Sequence, residues 1–261
     1  MQEKQRFLCE NSLDGLFTDV YDAWDSRCGH ENVELAVQEP DNLEFFCREH
    51  RTATDPEKAA RVARTLRRRL GSRGYEILCY AAASQFPDKG TALYQSIVCL
   101  LTGRSDFTDR RNPHIRRLME LYKNSFAEFD HLRGFLRFRE LSSGALASLI
   151  RPKNDLLLFL GAHFQERMPE EAFLICDSGR SRICFHKPGA DCSLISGLSL
   201  SETELSRYSS DAETFENLFR TFCRSISIRE RENPALQRQM LPLRFREFMP
   251  EFRQTQAPPD H

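Results

Sequence analysis

Arginine is the side chain through which this sequence could act on a charged partner. The chain carries 31 arginines against 6 lysines. Guanidinium groups grip phosphate with two parallel hydrogen bonds and stack on flat rings. Three groupings concentrate them. Arg61, Arg64 and Arg68 fall at i, i+3 and i+7, with Arg67, Arg69 and Arg73 beside them and no acid between. Arg137 and Arg139 lie in the alternating stretch GFLRFRE, with Arg133 just before it. Arg229, Arg231, Arg238, Arg244 and Arg246 crowd into 18 residues around Asn233-Pro234. A further set, Arg167 and Arg180, accompanies His163 and Asp177. Those four could form a polar pocket for a base or a phosphate, with His163 and Asp177 as an acid–base pair.

Each grouping has a plainer alternative. A basic run on a helix is usually a solvated face, and this one could instead meet the acidic start of the chain. Residues 1–60 hold 14 acids and 6 bases, whereas residues 61–261 hold 31 bases and 24 acids. The C-terminal cluster includes Glu230, Glu232 and Glu247, which could neutralise it internally. His163 ends an apolar helical pattern, where a histidine is more often packed than catalytic. Arginine excess also follows from a GC-rich genome and decides nothing alone.

Several chemistries find no motif. There is no Gly-rich phosphate loop, no GxGxxG, no HExxH and no zinc-deaminase signature. The sequence implies no metal and no cofactor. Nine cysteines are scattered without a CxxC pair. Cys79 and Cys99 sit inside apolar runs, so the expectation is reduced and mostly buried thiols. Cys176, Cys184, His186 and Cys192 come nearest to a ligand cluster, but their spacing is wrong for one, and alternate positions on two strands account for them. No apolar run approaches membrane-spanning length, and the opening residues lack a secretory pattern. The expectation is a cytoplasmic protein with no membrane partner.

The elements that must position these residues follow from periodicity and caps. RFLCE (6–10) reads as a strand, and Asn11 or Ser12 as the cap of a helix through Trp24. Residues 33–38 read as a second strand. Asp55-Pro56-Glu57 starts a helix that ends near Gly71. Helices over 73–83, 88–102 and 113–129 complete a helical block, with Asp88 as a fresh cap. Beyond residue 134 the pattern changes. GFLRFREL pairs with ALASLI as a hairpin, placing Phe135, Arg137 and Arg139 on one strand face. Asn154 or Asp155 caps an apolar helix to Met168. AFLICD and RICFH form a second hairpin, and CSLISGLSL adds a strand. Ser201–Glu204 and Asp211 open the last helices. The fold class is α+β: a strand–helix unit and helical block over 1–130, then antiparallel hairpins with packed helices over 131–253, then a disordered tail over 254–261.

Four segments of the second half, taken together, resemble a known family. They are His131-Leu132-Arg133-Gly134-Phe135-Leu136-Arg137-Phe138-Arg139-Glu140; Pro152–Asn154 leading to His163-Phe164 and Arg167; Ile175-Cys176-Asp177 with Arg180; and the run from Arg229 through Asn233-Pro234 to Pro242, followed by Arg244-Phe245. Ser12-Leu13-Asp14-Gly15-Leu16-Phe17 with Tyr21 also looks like the family's start, and order and spacing agree over roughly residues 6–252. The family is domain-of-unknown-function family 4130, bacterial proteins described as acting in DNA metabolism. The resemblance implies a radical-SAM DNA modification or repair protein as partner, and an association with uracil-DNA glycosylase-type domains. This chain has neither the CxxxCxxC of a radical-SAM enzyme nor a glycosylase domain, so the resemblance implies an accessory role. Where the family often has a tryptophan or tyrosine pair, this chain has Phe245-Arg246.

The functional expectation is a non-catalytic DNA repair or modification accessory protein that binds nucleic acid, the radical-SAM partner, or both. Its expected DNA-contact residues are Arg137, Arg139, Arg167, Arg180, Arg229, Arg231, Arg238 and Arg244. One alternative is a nucleic-acid-processing enzyme using His163 and Asp177. The other is a protein-interaction module without DNA affinity, which suits the near-neutral net charge of −1.

Overall fold

The computed structural model describes residues 3–39, 46–141, 144–197, 241–249 and 252. The chain divides into two compact units: Met1–Ala127 with Lys153–Asp155, and Glu128–Pro152 with Leu156–His261. Helices combine with parallel and antiparallel strands, and the fold class is α+β as the sequence implies.

The first unit opens with β1 (Lys4–Leu8), α1 (Leu13–Asp25), β2 (Val33–Ala36) and β3 (Cys47–Arg51). The strands form a parallel sheet in the order β2-β1-β3. Residue alternation divides the sheet's faces. Phe7, Val33 and Leu35 go to the core. The other face carries a charge ladder in which Arg6 stands in register between Glu34 and Glu49. Arg6 Nη2 lies 3.1 Å from Glu34 and Nη1 lies 3.5 Å from Glu49. Arg6 is only 3% exposed, so removing either acid would leave a buried charge short of a partner. The Ser12 cap is confirmed, its hydroxyl accepting from Gly15 N at 3.0 Å. The strand at Cys47–Arg51 escaped sequence reasoning because CREHR has no apolar alternation.

Helix α2 (Pro56–Ala82) begins at the expected Asp55-Pro56 start, where the Asp55 carboxylate accepts from Glu57 N and Lys58 N. It is broken at Gly71, whose φ of 72° and ψ of 173° only glycine adopts readily. The two helices expected on either side of Gly71 are thus the two arms of α2. Helix α3 (Lys89–Leu101) rests on the edge of β2. The Thr91 hydroxyl donates to Leu35 O and accepts from Leu35 N, both at 3.1 Å, satisfying an edge strand. Gly90 makes this possible, because a Cβ there would stand 2.5 Å from Leu35 O. Asp88 is not the expected side-chain cap of α3. Its carboxylate instead grips Arg117 of α4 (Pro113–Phe135) with two charge-assisted hydrogen bonds of 2.7 and 2.9 Å. The Asn112 carboxamide caps α4.

In the second unit the strands are β4 (Arg139–Glu140), β5 (Leu146–Ile150), β6 (Phe173–Asp177), β7 (Arg182–His186) and β8 (Ser193–Ser196), hydrogen-bonded in chain order. Every pairing is antiparallel except β5 with β6, which α5 (Leu157–Arg167) connects as a parallel crossover. Leu157, Leu160 and Phe164 of α5 are buried, as are Phe173, Ile175 and Cys184 of the sheet. The GFLRFREL strand is corrected here. The α4 helix runs on through Phe135, and β4 keeps only Arg139–Glu140. Leu132 and Leu136 continue the buried stripe of the helix, and that 3.6-residue period prevails over the apparent alternation. The Asn154 cap is corrected too. Its carbonyl accepts from Gln85 N at 3.0 Å and its amide donates to Asn124 at 3.1 Å, while α5 starts without a side-chain cap. The helices expected from Ser201 and Asp211, and the tail 254–261, lie outside the described residues.

One buried group makes a pH prediction. Asp19 on α1 is fully buried, with neither oxygen in hydrogen-bonding geometry. Burial pushes its pKa up to about 6; Thr52, Cys9 and Lys58 pull it down, and Asp22 adds to the rise. The folded state therefore holds this proton more tightly than the unfolded chain, whose aspartate titrates near 3.8. Its own contribution to stability rises as pH falls from about 6 toward 4, and above pH 6 the full cost is present. Asp19→Asn should gain about 2–3 kcal/mol over the parent at pH 8 and lose that advantage by pH 4. Urea denaturation at the two pH values checks it. A parent and variant with the same difference at both would contradict the assignment.

Candidate nucleic-acid interface

Asp177 ends β6 and is 1% exposed. Its Oδ1 accepts from Gly179 N at 2.9 Å and Arg180 N at 3.2 Å. Its Oδ2 accepts from the Arg180 guanidinium at 3.0 Å, and the same Nη1 donates to Pro152 O. Both oxygens thus hold the β6–β7 turn closed, as the sequence Asp-Ser-Gly-Arg allows. His163 lies elsewhere, half-buried on α5 and edge-on to Phe164 and Phe129, with ring centroids 5.1 and 6.0 Å away. Burial, then the charges of Arg133 and Arg167, hold its pKa below the usual histidine range, so it is neutral at pH 7. No hydrogen bond or ring contact joins His163 to Asp177 among the described residues. The structure does not assemble the expected acid–base pair.

The expected arginine contacts scatter. Arg137 donates to Gly134 O at 3.0 Å and Leu136 O at 3.4 Å, closing the C-terminal end of α4. Arg139 is half-buried on β4, not on a shared strand face with Arg137 and Phe135. Arg180 belongs to the turn just described. Arg244, on the 3-10 helix Leu243–Phe248, lies 3.3 Å from the buried carboxylate of Glu128 and over the Phe245 ring. Phe245 is itself buried, packed among His131 and Phe135 at 5.5 and 6.0 Å, so it offers no open stacking face. Arg167 is exposed on the last turn of α5. Arg229, Arg231 and Arg238 lie outside the described residues.

The arginines of α2 are placed differently. Arg61, Arg64, Arg67, Arg68, Arg69 and Arg73 are all exposed. Ala59 and Leu66 point inward, and at 100° per residue Arg61, Arg64 and Arg68 fall on the opposite side. Arg67 lies over Tyr75, and Arg73 is held by Glu76 and Tyr122. Arg61, Arg64, Arg68 and Arg69 have no carboxylate within ion-pair distance among the described residues. Among the described residues, the acidic opening of the chain brings no carboxylate within ion-pair distance of them. Glu34 and Glu49 are taken by Lys4 and Arg6, and Asp22 by Lys58 at 2.7 Å. The spacing of this run was legible in the sequence; that Arg61, Arg64, Arg68 and Arg69 lack ion-pair partners among the described residues was not.

The cysteine cluster assembles only in part: the Cys184 and Cys192 thiols meet beside Gly161, and Cys176 is kept apart from them by strand geometry. Cys184 stands in register with Ile175 and Cys176 with Ile183, so the two thiols point to opposite faces of the sheet. His186 Nδ1 donates to Glu171 O at 2.9 Å. Among the described residues no group of His, Cys, Asp and Glu could hold a metal, and no helix is long and apolar enough to cross a membrane. Cys9, Cys79, Cys176 and Cys184 are buried free thiols; Cys28 is exposed, and Cys47, Cys99 and Cys192 are intermediate.

The family model "Domain of unknown function (DUF4130)" matches residues 87–251, and the chain belongs to that family. No curated protein and no solved structure matches. The basic stripe of α2 lies ahead of the matched residues.

If Asp177 closes a turn and takes no part in acid–base chemistry, Asp177→Ala should cost about 3 kcal/mol by stranding two backbone amides and a guanidinium. Asp177→Asn, which keeps the Oδ1 acceptor, should cost about half as much. Chemical denaturation measures both. A fully stable Asp177→Ala would remove the structural assignment.

Proposed function

We propose that this chain is a DNA-binding accessory protein of a DNA repair or modification pathway, holding nucleic acid for a partner that carries the chemistry. The observation that supports the reading most is the α2 stripe of Arg61, Arg64, Arg68 and Arg69, exposed and without ion-pair partners among the described residues. Unneutralised guanidinium groups in a row are an anion-binding surface, and a phosphate backbone is the extended anion they suit. The resemblance to DNA-metabolism proteins adds the pathway, with a radical-SAM repair or modification protein as partner and a glycosylase-type activity as neighbour. Arg167, open on α5, is a further contact in the second unit. An enzyme built on His163 and Asp177 is the weaker reading, because Asp177 spends both oxygens on its own turn.

The test is anisotropy titration of labelled single- and double-stranded DNA at several salt concentrations. Binding should weaken with salt, each phosphate contact contributing about −0.7 to the logarithmic slope for a single strand. Arg61→Glu with Arg64→Glu and Arg68→Glu should lower affinity at least tenfold and flatten the slope by about 2. Circular dichroism should be unchanged, since all three side chains are exposed. Salt-independent binding, or a triple variant that binds as the parent does, would overturn the proposal.

A further inference from the structure

Beside the arginine stripe, α1, α2 and α3 enclose an open cleft of about 340 Å3. Its floor is aliphatic, from Val20, Leu66 and Ile97, which are almost fully buried. Its wall is Trp24, the single tryptophan of the chain, 38% exposed and backed by His30 at 4.6 Å. Polar groups stand at the rim: Arg61, Thr65 and Asp25. Arg61 also belongs to the stripe, so the cleft and the basic surface share a residue.

We infer that this cleft receives one unstacked base of a single-stranded nucleic acid whose phosphates lie along Arg61, Arg64 and Arg68. The inference rests on the DNA-binding reading above and adds the strand state and the base site. A base needs a flat apolar slot, an aromatic face, and a few donors and acceptors at its edge. Trp24 supplies the face, and the aliphatic floor supplies the slot. The Arg61 guanidinium supplies donors, while the Asp25 carboxylate and the Thr65 hydroxyl supply acceptors. Asp25 repels phosphate, which places the base edge, not the backbone, at that end. The stripe from Arg61 to Arg68 extends about 10 Å along α2, enough for consecutive phosphates of an extended strand. A docked amphipathic helix fits less well. Its anchors at i, i+3, i+4 and i+7 need a long groove, whereas α2 lines this one only from Arg61 to Leu66, about 7.5 Å.

Because Trp24 is the only tryptophan, its emission reports the cleft alone. The experiment titrates the full chain with a labelled single-stranded DNA, reading tryptophan emission and oligonucleotide anisotropy together. Emission should be quenched in parallel with binding, and a strand with abasic nucleotides should bind without quenching. Trp24→Ala should weaken the normal strand about tenfold and leave the abasic strand unchanged. Thr65→Phe, an exposed position that fills the cleft, should do the same if Trp24→Ala fails to fold. Binding without quenching, with unchanged affinity in Thr65→Phe, would overturn the base site and leave the arginine surface standing. No binding of any strand would overturn both. Quenching by an acidic amphipathic peptide but not by DNA would assign the cleft to a protein ligand and overturn the inference.

Discussion

The direction in which α2 presents its arginines depends on how its first turn is docked. Thr18, buried on α1, lies 3.1 Å from Asp55 N and 3.2 Å from Asp55 O. Asp55 is the residue whose carboxylate caps α2. Lys58, one turn in, is pinned to Asp22 of α1. These contacts fix both the start of α2 and its rotation about its own axis. With Ala59 and Leu66 turned inward, helical geometry leaves Arg61, Arg64 and Arg68 nowhere to go but outward. The same docking sets Val62 and Leu66 against Val20 and Trp24 and so shapes the cleft.

Charge accounting inside the first unit then decides what those arginines can do. The chain is nearly neutral overall, and its opening residues are acidic. Had those acids reached α2, the stripe would be an internal ion-pair network. Among the described residues none of them pairs with Arg61, Arg64, Arg68 or Arg69: Glu34 and Glu49 pair with Arg6 in the sheet, and Asp22 pairs with Lys58. In a nearly neutral chain, Arg61, Arg64, Arg68 and Arg69 are thus left exposed and without ion-pair partners among the described residues. The second unit shows the opposite economy: Arg137, Arg180 and Arg244 are all engaged by the chain itself.

Much of the fold was legible in the sequence because its signals were local. Ser12, Asp55-Pro56, Gly71 and the Asp-Ser-Gly-Arg turn each fix a boundary by their own chemistry. What escaped depended on distant partners. Asp88 and Asn154 look like caps, but Arg117, Gln85 and Asn124 claim them. GFLRFRE alternates like a strand, yet its first residues finish a helix because Leu132 and Leu136 share the buried face. The site was legible only in part. The α2 run was visible as spacing, but whether each guanidinium is free is a three-dimensional fact. Trp24 gave no signal beyond its place on the apolar face of α1.

We propose that nucleic acid meets the first unit along α2. Photo-cross-linking a single-stranded DNA carrying halogenated pyrimidines, followed by peptide mapping, tests it most directly. Cross-links are expected at Tyr21–Trp24 and along Arg61–Arg69. Cross-links confined to residues 131–182 or 241–249, with none on α1 or α2, would contradict it.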